Sequence, residues 1–196
     1  MTVGPEILEP FLCALLNENK QINLTAVRDL AAARVLHSLD SLAIQQLSLE
    51  PSPQTCLDLG SGNGFPGVAL HFIYPAATIT LMDRTRKKLL AIERILSTVS
   101  IAGIHTIHAD AEQAPKQHPE LASKFDLVTA RAVGDPSTVA RMASPLIAPQ
   151  GHLVLWLDEN TSAPAKLTGV ELSEVREYEL PEPAARRRRL ACYRKS

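Results

Sequence analysis

The spacing of hydrophobic residues changes near residue 54. Before that point they recur every three or four positions, which is the period of an amphipathic α-helix. The pattern predicts one helix over residues 5–17, a loop over residues 19–28, and a second helix that begins near Asp29, whose carboxylate can cap it. We therefore expect residues 1–53 to form an N-terminal helical cap.

Residues 54–196 instead alternate short apolar runs with segments long enough for helices. Buried strands are predicted at residues 55–59, 77–82, 104–109, 125–130 and 152–157. Helices are predicted at residues 87–99 and 137–147, with a turn at residues 148–151. Two further strands are expected at residues 170–178 and 190–193, joined by a proline-rich segment and a basic run. The pattern predicts an α/β fold with a mostly parallel, doubly wound, Rossmann-like sheet, in one globular unit.

Composition limits the class of protein. The chain has 196 residues, is 45% hydrophobic, and contains no uninterrupted apolar run of membrane-spanning length. Its first residues lack the pattern of a secretory signal, so we expect a cytoplasmic protein with no membrane partner. The formal net charge of −1 means that local clusters must hold any polyanionic partner. Cys13, Cys56 and Cys192 are far apart among apolar neighbours and are predicted to be reduced core thiols.

The segment CLDLGSGNGFPG, residues 56–67, predicts a strand, a tight glycine loop and a helix that starts at Pro66. Loops of this kind often direct backbone N–H groups at an anion, and Gly62-x-Gly64-x-x-Gly67 also fits the dinucleotide fingerprint. Asp58 favours S-adenosylmethionine (SAM), because a carboxylate attracts its sulfonium and ammonium groups and repels a pyrophosphate. The series Gly60-x-Gly62-x-Gly64 is the usual pattern of class I SAM-dependent methyltransferases.

Acidic residues after the next two predicted strands extend this candidate cofactor site. Asp83 ends the second strand and is a natural acceptor for both ribose hydroxyls, although it could instead cap the following helix. Ala111 and Glu112 follow the third strand, where such folds hold the adenine. The alternative role for Glu112 is again a helix cap.

Four stretches taken together resemble the RsmG family, also called GidB. They are Asn-Leu-Thr at residues 23–25, His-x-x-Asp-Ser at residues 37–41, Gly-x-Gly-x-Gly-Phe-Pro-Gly at residues 60–67, and Thr-Ala-Arg-Ala at residues 129–132. Enzymes of this family methylate N7 of a guanine in a conserved loop of 16S ribosomal RNA. The resemblance implies a SAM-dependent 16S rRNA (guanine-N7)-methyltransferase that acts on this RNA or on the small-subunit particle, and we expect a monomer.

The resemblance also implies roles for single residues. Cofactor contacts are implied for Gly60, Phe65, Ala111, Glu112 and Arg131, with Asp83 on the ribose, while Asn23, His37 and Asp40 are implied to lie on the face toward RNA. The chain departs from the family at Leu36 and Asp110, where arginines are usual, and at Leu157-Asp158, where Lys-Gly is usual.

Arg131 is the candidate catalytic residue, because it ends the fourth predicted strand, where open α/β sheets bind ligands. It could contact both the cofactor and guanine O6 or a phosphate; a plain salt bridge is the alternative. Two basic clusters, residues 84–88 and 186–189, are candidates for phosphate contact or simply solvated charge, and Arg188 is predicted to contact RNA.

Guanine N7 has a lone pair and no proton, so its methylation needs orientation and no general base. The sequence matches this expectation, since Thr129-Ala130-Arg131 replaces the Asn/Asp-Pro-Pro-aromatic tetrad used for exocyclic amino groups and no Pro-Cys dipeptide follows. His105 and His108 have no acidic or cysteine companion, so no metal site is expected. Three alternatives stay open: a SAM-dependent enzyme of another RNA site or a small molecule, an NAD-binding oxidoreductase, and an RNA-binding protein that keeps SAM without transferring its methyl group.

Overall fold

The computed structural model describes residues 2–196. A 3-10 turn at Pro5–Leu8 leads into helix α1 (Glu9–Glu18). Helix α2 follows the predicted loop and changes its winding along its length, with α (Leu30–Ala33), π (Arg34–Leu39), α (Asp40–Leu42) and 3-10 (Ala43–Gln46) segments. Asp29 caps α2 as predicted, because its Oδ1 accepts a hydrogen bond of 2.8 Å from the N–H of Ala32.

The predicted α/β fold is confirmed. The sheet contains strands β1 (Thr55–Leu59), β2 (Thr78–Asp83), β3 (Ile104–His108), β4 (Phe125–Arg131), β5 (Ile147–Asp158), β6 (Lys166–Leu167), β7 (Val170–Leu180) and β8 (Arg186–Arg194). Their order is β3-β2-β1-β4-β5-β8-β7-β6, in which the first five positions are parallel and the last three antiparallel. Helices α3 (Gly67–Ile73), α4 (Arg86–Thr98), α5 (Ala114–Gln117) and α6 (Pro136–Ala143) connect the parallel strands.

Alternate residues of each strand enter two cores, one on either face of the sheet. Cys56 and Ile79 belong to the core that α3 and α4 cover, whereas Leu57 and Met82 belong to the core under α5 and α6. The predicted N-terminal helices pack in the first of these cores. Phe11 of α1 meets the ring of Phe65 edge-to-face at 5.4 Å, so the helical cap is joined directly to the loop after β1.

Two local predictions were wrong. The predicted turn at residues 148–151 lies within β5 as a bulge: Phe125 pairs with Ile147 while Leu127 pairs with His152, and Gln150 takes φ of 63°. The basic run lies inside β8 and not in the connection before it, because carboxylates of β7 pair with its arginines across the strands.

Smaller differences concern a cysteine and the helix ends. Cys56 and Cys192 are buried as predicted, but Cys13 is exposed, on the face of α1 that turns away from the core. Helix α6 ends at Ala143, before the predicted limit, and α3 begins at Gly67 with Pro66 as its N-cap residue. Over residues 2–196, no helix combines the length and the apolar character needed to cross a membrane.

Gly67 is expected to be essential for the packing of α3 against the sheet. A Cβ at this position would lie 2.1 Å from Leu81 Cδ2 and 3.0 Å from Asp58 Oδ2. We expect Gly67→Ala to lower the free energy of unfolding by about 1–3 kcal/mol, as overpacking of a close contact does, in urea denaturation. The control is Gly134→Ala, where the nearest atom, Val139 Cγ2, is 4.0 Å away. Equal destabilisation by the two variants would contradict this role.

Candidate functional site

A cleft of about 960 Å³ opens at the carboxyl ends of β1, β2 and β4, where open parallel sheets bind ligands. Loops after these strands form one wall, and residues of the helical cap form the other. The structure brings together in its lining most of the residues that the sequence singled out: His37, Asp40, Gly60, Gly62, Phe65, Asp83, Ala111, Glu112, Arg131 and Arg188. Asn23, Asp58 and Gly64 lie outside this lining.

The glycine loop satisfies its own backbone donors. The N–H groups of Gly60 and Ser61 both donate to the carbonyl of Met82, at 2.8 and 2.9 Å. Those of Gly62 and Gly67 donate to the carboxylates of Asp83 and Asp58, each at 2.9 Å. These amides are not available to a phosphate, which corrects the interpretation of the loop as an anion cradle and weakens the dinucleotide alternative.

Asp58 binds the end of the glycine loop and lies outside the lining of the cleft. It is 1% exposed, and Thr129 Oγ1 donates to its Oδ1 at 3.1 Å while the Gly67 N–H donates to its Oδ2. Burial raises the pKa of Asp58 to about 6, against the lowering effect of these two hydrogen bonds. The carboxylate therefore fixes the loop to α3 and β4, and a direct contact with a cofactor stays a prediction.

Asp83 holds the middle of the same loop and also faces the cleft. Its Oδ2 accepts from the Gly62 N–H, and its Oδ1 accepts from the Thr85 N–H at 2.7 Å. Next to it, the hydroxyl of Ser61 is 2% exposed and has no hydrogen-bond partner within residues 2–196. A buried hydroxyl without a partner is costly, so this position favours a polar ligand in the cleft.

Arg131 makes the buried salt bridge that was its alternative role. Its Nη1 donates to Asp40 Oδ2 and to the carbonyl of Leu36, both at 3.0 Å. Its Nη2 has one long contact, 3.4 Å to the carbonyl of Phe65. The guanidinium thus joins the cap to the glycine loop and keeps one nitrogen with only a weak partner beside the cleft.

Asp40 was expected on the face toward RNA, and it is buried among donors from four strands, β4, β5, β7 and β8. The hydroxyl of Tyr178 donates to its Oδ1 at 2.5 Å, and the indole N–H of Trp156 donates to its backbone carbonyl at 2.7 Å. Arg188 Nε lies 3.4 Å from the same Oδ1. A buried carboxylate needs such partners, and these determine where α2 sits on the sheet.

His37 lies in the π-helical turn of α2, a feature that is frequent at functional sites. Its ring stacks on Phe65 with centroids 5.8 Å apart, and its Nε2 lies 3.0 Å from Thr25 Oγ1. Burial and the nearby Arg131 charge lower the pKa of His37 to about 4. At neutral pH the imidazole is therefore uncharged, and it connects the loop over residues 19–28 to the cleft.

Asn19 organises that loop, and the sequence did not predict its role. Its Oδ1 accepts from the N–H groups of Leu24 and Thr25 at 2.7 and 3.0 Å, and its Nδ2 donates to the Thr25 carbonyl at 2.9 Å. The available signal was an asparagine at the first position of the predicted loop, since one amide can serve several backbone groups there. Asn23 is exposed, with its Oδ1 bonded to Arg28.

Charged side chains form the rim of the cleft. Glu112 does not cap a helix but pairs with Arg141 at 2.6 Å, and both are about half-exposed. Arg84 and Lys88 follow β2 on one side of the opening, and Arg186 and Arg188 lie on the other. The basic residues on both sides can attract a polyanion despite the net negative charge of the chain.

The comparisons with known proteins agree with this architecture. A family model described as rRNA small subunit methyltransferase G matches residues 5–184. A ribosomal RNA small subunit methyltransferase G from Streptococcus agalactiae serotype V is 33% identical over 147 residues, 74% of this chain and 62% of that protein. Its counterpart from Nostoc punctiforme is 32% identical over 178 residues, 85% of this chain and 72% of that protein. The chain thus spans less than two thirds of the Streptococcus relative.

Two solved structures show the same fold at low identity. A predicted O-methyltransferase from Agrobacterium tumefaciens has a TM-score of 0.62 and 20% identity, covering 80% of this chain and 81% of its own. A mutant of MtNAS in complex with S-adenosylmethionine has a TM-score of 0.62 and 10% identity, covering 98% of this chain and 78% of its own. These likenesses support the class I methyltransferase fold.

The low pKa of His37 can be measured directly. We expect its ring protons to titrate near pH 4 in NMR spectra, because burial and Arg131 disfavour the imidazolium. The unfolded chain takes up this proton near pH 6.5, so acidification from 6.5 towards 4 removes stability from the folded state. The variant His37→Gln should therefore lose less stability than the wild type between pH 7 and 5. A ring midpoint at or above about 6 would contradict this assignment.

Proposed function

The chain belongs to the rRNA small subunit methyltransferase G family, and on this basis we propose that it transfers a methyl group from SAM to N7 of one guanine in 16S ribosomal RNA. The observation that carries the proposal is the cleft, whose glycine loop is held by Asp58 and Asp83 and has its amides already bonded. Such a loop suits a cationic cofactor, because its carboxylates would repel a pyrophosphate and its amides could not compensate.

The residues present fit SAM. Asp83 reaches the cleft from the end of β2, and the Ser61 hydroxyl beside it lacks a partner in the described chain. We propose that Gly60, Gly62, Phe65, Asp83, Ala111, Glu112 and Arg131 hold the cofactor, with Asp58 and Gly64, which lie outside the lining, acting through the loop. When bound, SAM supplies an electrophilic methyl group on a sulfonium.

The chain then has to orient the guanine without adding an uncompensated charge to the cleft. N7 carries a lone pair and no proton, so no side chain needs to act as a base at that atom. His37, with its pKa lowered to about 4 by burial and by Arg131, is neutral and suited to stacking or hydrogen bonding. We propose that the weakly bonded Nη2 of Arg131 contacts guanine O6 or a phosphate. Orientation of two reactants can contribute on the order of 7–11 kcal/mol, which accounts for a site that works without a base.

The cap and the core have different proposed tasks. We propose residues 1–53 as the helical cap that shapes the RNA side of the cleft, with Asn23 and His37 as contacts, and residues 54–196 as the methyltransferase core. The proposed partner is 16S rRNA or the small ribosomal subunit, and this partner supports a cytoplasmic location. The monomer expected from the sequence stays a prediction.

Cofactor identity is tested by titration calorimetry. We expect SAM to bind and NAD to give no heat of binding, because the loop amides are occupied. Asp83→Asn keeps the size of the side chain but removes the charge-assisted acceptor, and should weaken SAM binding by about 10–100-fold, the effect of losing a hydrogen bond to a charged group. Unfolding curves control for loop damage, since Asp83 also binds Gly62 and Thr85. Tighter binding of NAD than of SAM would refute the proposed cofactor.

Methyl transfer is tested with 16S rRNA from cells that lack the gene. We expect SAM and the protein to produce N7-methylguanine at one position, mapped by cleavage at that base and by mass spectrometry. Arg131→Lys keeps a positive charge for Asp40 but loses the planar guanidinium and its paired N–H donors. The rate of methyl transfer should therefore fall by at least about tenfold, while the protein still folds. Arg131→Ala is less suitable, because it leaves Asp40 buried without a full partner set, and we expect it to reduce stability as well.

The matched control is Arg176→Lys, an exposed arginine of β7 paired with Glu174 outside the cleft. It should transfer methyl groups at the wild-type rate. Wild-type turnover by Arg131→Lys would remove Arg131 from the proposed mechanism. SAM binding without any methylation of the RNA would favour the non-catalytic alternative, and methylation at another base would favour a different RNA target.

A further inference from the structure

Two partly buried arginines that line the cleft share one buried carboxylate. The side chains of Arg131 and Arg188 are 9% and 12% exposed, and that of Asp40, which both contact, is 4% exposed. Tyr178 adds no negative charge at neutral pH, since burial and the Asp40 charge raise its pKa. The cluster of Arg131, Arg188 and Asp40 therefore carries two positive charges and one negative, and at a site largely removed from water such an excess is unfavourable unless another anion is close.

The additional anion is Asp158. It is the last residue of β5, stands directly opposite Arg188 in the β5–β8 register, and its Oδ1 pairs with Arg188 Nη1. Its side chain is 70% exposed, so water and salt screen the pair and it contributes little net stability. Arg188 Nε faces Asp40 at 3.4 Å without forming a hydrogen bond, so Asp158 is the closer anion on this guanidinium. The exposed partner of Arg188 is therefore easily replaced.

Because side chains alternate between the two faces of β8, Arg188 faces the cleft. Arg186 and Arg188 line the cleft, as residues two apart on a strand share a face. Arg187 and Arg189 pair with Glu179 and Glu177 of the neighbouring β7. Arg186 has no ion pair among residues 2–196. Two of the four arginines in the run, Arg186 and Arg188, are therefore positioned at the cleft. Arg188 is the one that pairs with the replaceable carboxylate of Asp158.

We propose that Asp158 is a placeholder for a backbone phosphate of the substrate RNA. On binding, a phosphate replaces Asp158 as the second anion on Arg188, and Arg186 contacts it from the same face of β8. Phosphate oxygens match the planar guanidinium better than an exposed carboxylate does, and a phosphate supplies the negative charge that Asp158 supplies in the free protein. Asp158 thereby weakens RNA binding, and it balances the charge of Arg188 in the free protein. This inference rests on the proposed function.

The test is Asp158→Asn, which removes the competing charge without changing the size of the side chain. We expect binding of a 16S rRNA fragment, followed by fluorescence anisotropy at low salt, to tighten by about threefold to tenfold, because one competing ion pair is lost. The matched control is Glu179→Gln. It changes the net charge equally but releases Arg187, whose pair with Glu179 is exposed and lies outside the cleft. The RNA affinity of Glu179→Gln should stay within about twofold of the wild-type affinity.

A double variant assigns the effect to Arg188. In the background of Arg188→Gln, the substitution Asp158→Asn should no longer tighten binding, because the arginine it releases is absent. Unchanged affinity in Asp158→Asn, equal tightening in Glu179→Gln, or tightening that persists without Arg188 would each overturn the inference. If Arg188→Gln does not fold, the comparison of Asp158→Asn with Glu179→Gln decides alone.

Methylation of the same fragment separates the two proposals. A wild-type protein that binds SAM but methylates no ribosomal RNA refutes the proposed function, and with it the RNA phosphate as the partner of Arg188. A wild-type protein that methylates the fragment, with Asp158→Asn behaving like Glu179→Gln, refutes only the placeholder role of Asp158.

Discussion

The burial of the Asp40 carboxylate determines how the helical cap meets the sheet. A carboxylate that is removed from water must find donors, and Asp40 finds them on Arg131 of β4, Tyr178 of β7 and Arg188 of β8. Trp156 of β5 binds its carbonyl. The turn of α2 that carries Asp40 is thereby held over the carboxyl end of the sheet, and because Arg131 also binds the carbonyls of Leu36 and Phe65, the two walls of the cleft are held in one arrangement.

The glycine loop shows a second use of carboxylates. Positive φ angles at Gly60 and Gly62 let the backbone turn sharply, and Asp83 accepts the N–H of Gly62 in this turn while Asp58 accepts the N–H of Gly67 at the start of α3. A loop that binds phosphate keeps those groups free. The same glycine spacing can therefore suit either an anionic or a cationic ligand. The acidic residues at the ends of β1 and β2 determine which of the two ligands the loop suits.

The sequence predicted the first four strands well because each is a short apolar run between turn signals, and Thr55–Leu59 agrees at both ends. The start of β5 was missed because its bulge at residues 148–151 has the composition of a turn. The start of β8 was missed because four successive arginines give no apolar signal; their strand is stabilised by carboxylates of β7, such as Glu179. The role of Asp40 was missed for a related reason. Its partners Arg131 and Tyr178 are 91 and 138 residues away along the chain, so no local pattern could reveal them.

These contacts also explain how a chain with a formal net charge of −1 can present two opposite charges to one cleft. Asp83 lines the cleft and Asp58 binds the end of the glycine loop outside the lining, on the side proposed for a cationic cofactor, whereas Arg131 and Arg188 lie where the cap meets the sheet. Asp58 and Asp83 are buried and the two arginines are partly buried, so solvent screens their fields less than it screens fully exposed charges. A sulfonium donor and a polyanionic acceptor need such a division, because a single sign of charge throughout the cleft would repel one of them. The overall charge of the chain is therefore a poor guide to its partner, and the placement of these four side chains is a better one.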